Sequence, residues 1–237
     1  MPLFVGTSGW SYPEWKPAFY PEKMPQRLFL SHYAAQLTAC EINATFYKLQ
    51  SESAVGRWAA ETPPEFRFAC KAHRALTHGR QLPSRPGEEE LLERFLESLA
   101  PLGARLGAVL VQLPPHRGRD DAALEGLLSC LPGVPVALEF RHESWDDPAV
   151  AARVAAAGGT ICLAEWDGAV PERLPDGPLA YVRLRASEYS DAAREGWREL
   201  LDREAAERPV FVFAKHEGVP AGNPHAGVGL AQWLVSA

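Results

Sequence analysis

The sequence is poor in the residues that most readily announce a function. It has four cysteines, Cys40, Cys70, Cys130 and Cys162, widely spaced and with no CxxC pair. Such spacing implies neither a disulfide framework nor a thiolate metal site. Three of the four lie in apolar runs, where reduced, buried thiols are expected. No apolar run reaches the roughly 18 residues of a membrane span, and no basic segment followed by an apolar stretch opens the chain. The expectation is a cytoplasmic protein with no membrane partner. Nucleotide signatures are missing too: there is no GxxxxGK[ST], and Gly6-Thr7-Ser8-Gly9 fits neither GxGxxG nor GxSxG. His142-Glu143 and His216-Glu217 lack the second histidine of HExxH. Nothing therefore calls for a cofactor. A net charge of −6 argues against a general nucleic-acid coat protein, though not against a local basic pocket.

What is present is alternation. Val136, Leu138 and Phe140 share one face of a strand, and Ala137, Glu139 and Arg141 the other. The first face is bulky enough to pack under helices. The second turns from small to charged, as the inward face of a parallel barrel does near its carboxyl-end mouth. Similar strands are expected at 3–7, 40–47, 66–71, 108–113, 160–164, 180–185 and 209–216. Helical patterns lie between most of them, at 26–38, 51–61, 88–99, 122–131, 146–157 and 189–206, with a closing helix near 224–235. Residues 168–178 show no convincing helix. Strict alternation argues for a parallel sheet. Eight such units in 237 residues argue for an α/β fold with one TIM-barrel-like (β/α)8 domain, 1–237.

Polar side chains gather at strand ends, on the face opposite the bulky apolar residues: Lys71, Gln112, Glu139, Arg141, Arg183, Arg185 and Lys215. In a barrel these ends meet at one mouth. Glu139 and Arg141 stand roughly 6.6 Å apart along their strand, so both can enter one cavity. Cations around a carboxylate suggest an anionic ligand and an acid/base group kept ionised by their field. The bland alternative is an internal salt-bridge layer, the favoured reading for Glu41 with Arg67 at strand starts. Trp10, Tyr12, Trp15, Phe19 and Tyr20 crowd a proline-broken loop, as a satellite core or as a stacking wall. Trp145 and Trp166 follow strands closely, and His142 and His216 are the best-placed histidines. A metal site from Glu139, Glu165, Asp167 and a histidine is a further reading, without tight ligand spacing to support it.

Five motifs then occur in order: Gly6-Thr7-Ser8-Gly9-Trp10-Ser11-Tyr12 with Trp15, Glu41-Ile42-Asn43-Ala44-Thr45-Phe46-Tyr47, Phe66-Arg67-Phe68-Ala69-Cys70-Lys71, Val111-Gln112-Leu113-Pro114 and Glu139-Phe140-Arg141-His142-Glu143-Ser144-Trp145. Together they resemble the YecE-like family (domain of unknown function 72) over nearly the whole chain. The resemblance implies a TIM-barrel-like fold and no particular reaction. Its motif residues fall on Thr7, Trp10, Tyr12, Glu41, Asn43, Thr45, Tyr47, Lys71, Gln112, Glu139, Arg141 and Trp145. Two regions depart from it. Glu165 and Asp167 flank the position where strand six often ends in Asp, and Phe213-Ala214-Lys215-His216 stands where Phe-Asn-Asn is common.

The resulting expectation is a small-molecule enzyme whose partner is an anionic, phosphorylated-sugar-like or nucleotide-like molecule. An isomerase, lyase or hydrolase would each fit. Glu139, as acid/base, and Lys71 form the catalytic pair. Arg141, Arg183 and Lys215 hold the anion with Lys71; Asn43, Tyr47 and Gln112 orient it; Trp10, Tyr12, Trp145 and His216 complete the binding set. The alternatives are a non-catalytic barrel that binds an anionic metabolite or, less favoured, a nucleic-acid end, and a metal-dependent isomerase or phosphodiesterase. The oligomeric state stays open.

Overall fold

The computed structural model describes residues 2–79, 82, 90–131 and 133–236. Its strands are β1 (Leu3–Thr7), β2 (Ala39–Ile42), β3 (Arg67–Lys71), β4 (Leu106–Gln112), β5 (Val136–Glu139), β6 (Gly159–Ile161), β7 (Leu163–Glu165), β8 (Ala180–Leu184) and β9 (Val210–Ala214). The helices are α1 (Phe29–Ala34), α2 (Ala44–Tyr47), α3 (Glu52–Ala60), α4 (Arg74–Thr77), α5 (Glu90–Leu99), α6 (Asp121–Ser129), α7 (Pro148–Ala156), α8 (Asp191–Ala205) and α9 (Gly227–Val235). The expected helix start at Glu88 lies outside the described residues. Among those described, no helix is long and apolar enough to cross a membrane.

All strand pairs are parallel, in two runs, β2-β3-β4-β5-β6 and β1-β9-β8-β7. β6 and β7 are the two halves of the expected sixth strand, interrupted at Cys162. With β1 bridged to β2 at Ser8 and Glu41, the strands follow one another in sequence order in the expected TIM-barrel-like architecture, left open where no ladder joins β6 to β7.

The two junctions between the runs are built differently. At the β1/β2 junction side chains replace the ladder. Tyr33 Oη accepts from Thr7 N (2.7 Å) and donates to Ala39 O (3.0 Å). Thr38 Oγ1 accepts from Val5 N at 2.8 Å. Gly6 makes this possible, since a Cβ there would stand 1.9 Å from Ala39 O. At the sixth strand, β6 pairs only with β5 and β7 only with β8. The strand changes partners halfway up, and the last backbone bond to β5 among the described residues runs from Cys162 N to Leu138 O (2.8 Å).

Two cores follow from the alternation. Val136, Leu138, Phe66, Phe68, Cys40 and Cys70 belong to the layer beneath the helices. Phe4, Ala69, Ala108, Ala137, Cys162, Tyr181, Phe211 and Phe213 fill the barrel itself. The interior aromatics pack together, Phe4 stacked on Phe211 at 4.8 Å and Tyr181 tilted against Phe213 at 5.3 Å. They form an apolar floor halfway up the barrel. Helix starts follow the sequence: Ser51, Asp120, Asp147 and Ser190 each cap a helix by accepting a backbone N–H.

Besides the divided sixth strand, the second strand departs from expectation. The second strand ends at Ile42 rather than running to Tyr47, because Thr45 Oγ1 donates to Ile42 O (2.9 Å) and Lys71 O (2.7 Å). The chain folds at once into α2. Asn43 precedes that helix, and the expected alternation of Asn43, Thr45 and Tyr47 is lost.

Candidate functional site

Directly above the aromatic floor lies a layer of charge. Arg183 on β8 donates from Nη1 to Glu139 Oε2 (2.6 Å) and from Nη2 to Glu41 Oε1 (2.9 Å). One guanidinium thus bridges two carboxylates from strands on different sides of the barrel. All three side chains are almost fully buried, Glu41 at 0%, Glu139 at 2% and Arg183 at 3% exposure. Glu41 also accepts from Ser8 Oγ at 2.7 Å and Tyr181 Oη at 2.8 Å. Glu139 accepts from Arg141 Nε at 2.8 Å, and the Arg141 side chain remains 34% exposed. Buried charges persist where partners satisfy them in this way.

The field of this cluster fixes protonation. Burial alone would raise the Glu139 carboxyl, but Arg183 and Arg141 win and hold it at about 2, below its ordinary 4.5. Arg183 is held well above the ordinary guanidinium range: burial opposes its charge, and Glu41 and Glu139 outweigh it. Lys71 goes the other way. Burial, then repulsion from Arg183, pulls its ammonium down to about 8, against the opposing pull of Glu41 and Glu139. Its Nζ donates to Gln112 Oε1 at 2.8 Å and lies 4.1 Å from the centre of the Phe46 ring. Gln112 is level with Glu139 in the sheet, and its amide nitrogen faces that carboxylate without completing a hydrogen bond.

Above this layer stands a second tier. Arg185 reaches Glu217 at 3.3 Å and lies 5.6 Å from the centre of the exposed Trp166 ring. Lys215 follows β9 on its inward face. His216, next along, stacks on Tyr12 at 4.1 Å, while Tyr12 Oη donates to Ser8 O at 2.7 Å. Burial lowers the His216 imidazole, with Glu217 opposing.

The structure thus brings together Glu139, Lys71, Arg141, Gln112 and Arg183, with Lys215, Tyr12 and His216 on the next tier. Other expected residues stand apart. Tyr47 is 68% exposed at the end of α2, its ring against Phe46. Trp10 turns edge-on to Trp58 and Phe68, between α3 and the outside of β3. Trp145 does not stand apart in the same way: it is buried against Phe140 at 4.5 Å and donates to Arg117 O, which supports the β5 loop, and it lines the cleft that reaches Glu139 and Arg141. Trp15, Phe19 and Tyr20 are core residues stacked around Tyr33 and Phe29.

Glu41 is not paired with Arg67. In the β2–β3 register Glu41 is level with Ala69, and Arg67 is two residues nearer the closed end. Arg67 bonds Pro64 O and Phe66 O and lies over Phe4. Glu165 points out of the barrel to Tyr189 Oη and Gly168 N. The imagined cluster of Glu139, Glu165, Asp167 and a histidine is therefore not assembled, and no group of three or more His, Cys, Asp or Glu among the described residues is placed to hold a metal. Sequence reasoning missed Ser8 and Tyr181. The signal for Tyr181 was its place two residues before Arg183 on the same strand face.

Residues 4–234 match the family model described as protein of unknown function DUF72. The chain is 31% identical over 153 residues to the UPF0759 protein YunF of Bacillus subtilis, covering 62% of this chain and 53% of YunF. It is 31% identical over 142 residues to the UPF0759 protein YecE of Escherichia coli K12, covering 59% and 48%. The chain spans about half the length of the curated relatives it matches. A solved DUF72 family structure from Thermotoga maritima superposes with a TM-score of 0.79 at 24% identity, over 100% of this chain and 98% of that one. D-psicose 3-epimerase shares the barrel at a TM-score of 0.53 and 12% identity, over 94% and 88%.

Proposed function

The chain belongs to the DUF72 family of proteins of unknown function, and from that premise and the geometry of the mouth we propose a small-molecule enzyme that binds an anionic ligand there and moves a proton. One observation carries this reading, the charge balance of the buried layer. Lys71, Arg141 and Arg183 face two carboxylates, Glu41 and Glu139. With Lys71 protonated, one positive charge is in surplus over an apolar floor, where screening is weak. Arg185 and Lys215 add two more above, against Glu217. A phosphate or carboxylate in the mouth relieves that surplus.

The protonation states divide the labour. Lys71, at about 8, exchanges a proton near neutral pH, where acid/base groups work best. Glu139 is held ionised by two guanidiniums, so it is a weak base and serves as the fixed counter-charge. Arg141, bonded to Glu139 through Nε and 34% exposed, is the cation of this layer that presents its outer guanidinium edge to a ligand. Gln112 aims Lys71, and Asn43 stands at the turn beside it. Tyr12 and His216 wall the second tier. A phosphorylated sugar or nucleotide-like molecule satisfies these groups, and a proton transfer of this kind can open an isomerase, a lyase or a hydrolase reaction.

The test is a melting-temperature screen of inorganic phosphate, sugar phosphates and nucleoside monophosphates, with product analysis of any hit. A ligand at 100 times its Kd stabilises by about 2.7 kcal/mol, roughly 5–10 °C for a chain of this size. Arg141→Ala should remove the shift, and Lys71→Met should remove turnover. No response to any anion, or a response indifferent to Arg141→Ala, refutes the proposal.

A further inference from the structure

The sixth strand breaks the barrel wall. Above Leu138 and Cys162, β5 and β7 do not pair, and unlike the β1/β2 junction no side chain among the described residues is threaded between them to replace the ladder. A cleft of about 1030 Å³ runs through this gap. On its inner side are Glu139, Arg141 and Cys162. On its outer side are Ala151, Ala152 and Ala155 of α7 with Ile161, Leu163 and Pro175. The outer part is open because no helix follows β7: residues 166–179 form loops and turns where a barrel would normally lay a helix over the sixth strand. The part of the groove next to the gap is thus mostly apolar, while the site it leads to is cationic.

Binding sites with a mostly apolar wall and a few convergent polar groups take ligands with both characters. We infer that the gap between β5 and β7 is a second subsite of the same ligand, which carries one anionic end held at Arg141 and an uncharged apolar arm, alkyl or aryl, that leaves the barrel sideways over α7. The inference rests on the anion-binding reading above and adds the class of molecule. The residues that bound the gap, Phe140, Cys162, Leu163 and Ala164, carry no charge. Beyond them Glu143, Asp146 and Asp176 line the outer cleft against Arg173 alone, which disfavours a second anionic group at the far end of the arm. Asp147, also there, is occupied by Arg119 and by Ala149 N.

The test uses inorganic phosphate and butyl, hexyl and octyl phosphate below their micelle concentrations, with affinities read by calorimetry. Burial of each methylene in the groove raises affinity about two- to fourfold, so octyl phosphate should bind at least about tenfold more tightly than butyl phosphate. Octane-1,8-bisphosphate should lose most of that gain. Ala152→Trp, a change at an exposed helix position that fills the groove, should flatten the series and leave inorganic phosphate binding unchanged; Ala155→Leu should do the same to a lesser degree. Arg141→Ala should weaken every member alike. Phosphate binding with no chain-length dependence, or a series insensitive to both groove variants, overturns this inference and leaves the anion site standing. A series insensitive to Arg141→Ala overturns it as well, because the head would lie elsewhere. Failure of every probe, inorganic phosphate included, overturns both readings.

Discussion

Replacing Arg183 with methionine removes the group that touches both buried carboxylates. Glu41 keeps Ser8 and Tyr181, and Glu139 keeps Arg141, but the charge between them is gone. Deleting one partner of a buried pair costs about 3–5 kcal/mol, because the remaining charge is uncompensated. At roughly 2–4 °C per kcal/mol for a chain this long, the melting temperature should fall by roughly 6–20 °C. The loss should depend on pH with a definite sign. In the native protein the Glu139 carboxyl is held at about 2, below its ordinary 4.5. That stability is complete above about pH 4.5 and fades as pH falls toward 2. In Arg183→Met burial is no longer outweighed, so the folded state takes up protons on acidification and the deficit narrows from pH 7.5 to pH 4.5. Urea unfolding followed by circular dichroism at the two pH values measures both effects. A second variant controls for packing: Glu41→Gln, Glu139→Gln and Arg183→Met together should recover much of the loss, as exchange of buried ion networks for neutral groups often does. A deficit under about 1 kcal/mol, the range of exposed ion pairs, or one that grows on acidification, would refute the account of this layer.

Two further outcomes follow from groups already described. Lys71, at about 8 in the folded protein against 10.5 ordinarily, binds fewer protons than the unfolded chain between those values, so it adds stability as pH rises from 8 to 10.5. Amine labelling read by mass spectrometry should find Lys71 half-reactive near pH 8 and protected by a bound anion; labelling in step with the surface lysines would contradict its burial. Tyr33→Phe leaves Thr7 N and Ala39 O without partners inside the β1/β2 junction, which should cost about 1–3 kcal/mol. It should also speed hydrogen exchange at Thr7 selectively, and unchanged exchange there would mean that the junction is held by something else.

The barrel was legible from the sequence because alternation is local. Val136, Leu138 and Ala137 declare their faces within four residues, and Ser51, Asp120, Asp147 and Ser190 mark helix starts by their own chemistry. Lys71, Gln112, Glu139, Arg141 and Arg183 were legible for the same reason, as polar residues closing apolar strands; Glu41 was not, because the early end of the second strand made it look like a strand-start residue. The pairing was not legible either. Arg183 meets Glu41 across 142 positions of sequence, and only the barrel's closure and register select Glu41 rather than its near neighbours. The end of the second strand was illegible because it depends on Thr45 reaching Lys71 O on another strand. The division of the sixth strand at Cys162 left no mark at all, since Thr160 to Glu165 alternates as a continuous strand does. Trp10 and Tyr47 share a similar history: motif position put them near the mouth, while local backbone turned both away.

The charged layer also bears on how such a barrel can assemble. Cut between β4 and β5, the chain would leave Glu41, Lys71 and Gln112 in one half and Glu139, Arg141 and Arg183 in the other. The first half would hold a carboxylate without its guanidinium, and the second would hold two guanidiniums for one carboxylate. The first half balances Glu41 only through Lys71, and the second carries one positive charge in surplus, so neither can bury its strand ends as the closed layer does until the other arrives. Closure is then the step at which both halves become stable together, and a half-barrel exchanged for one from another protein would need to bring a matching charge at the level of Arg183.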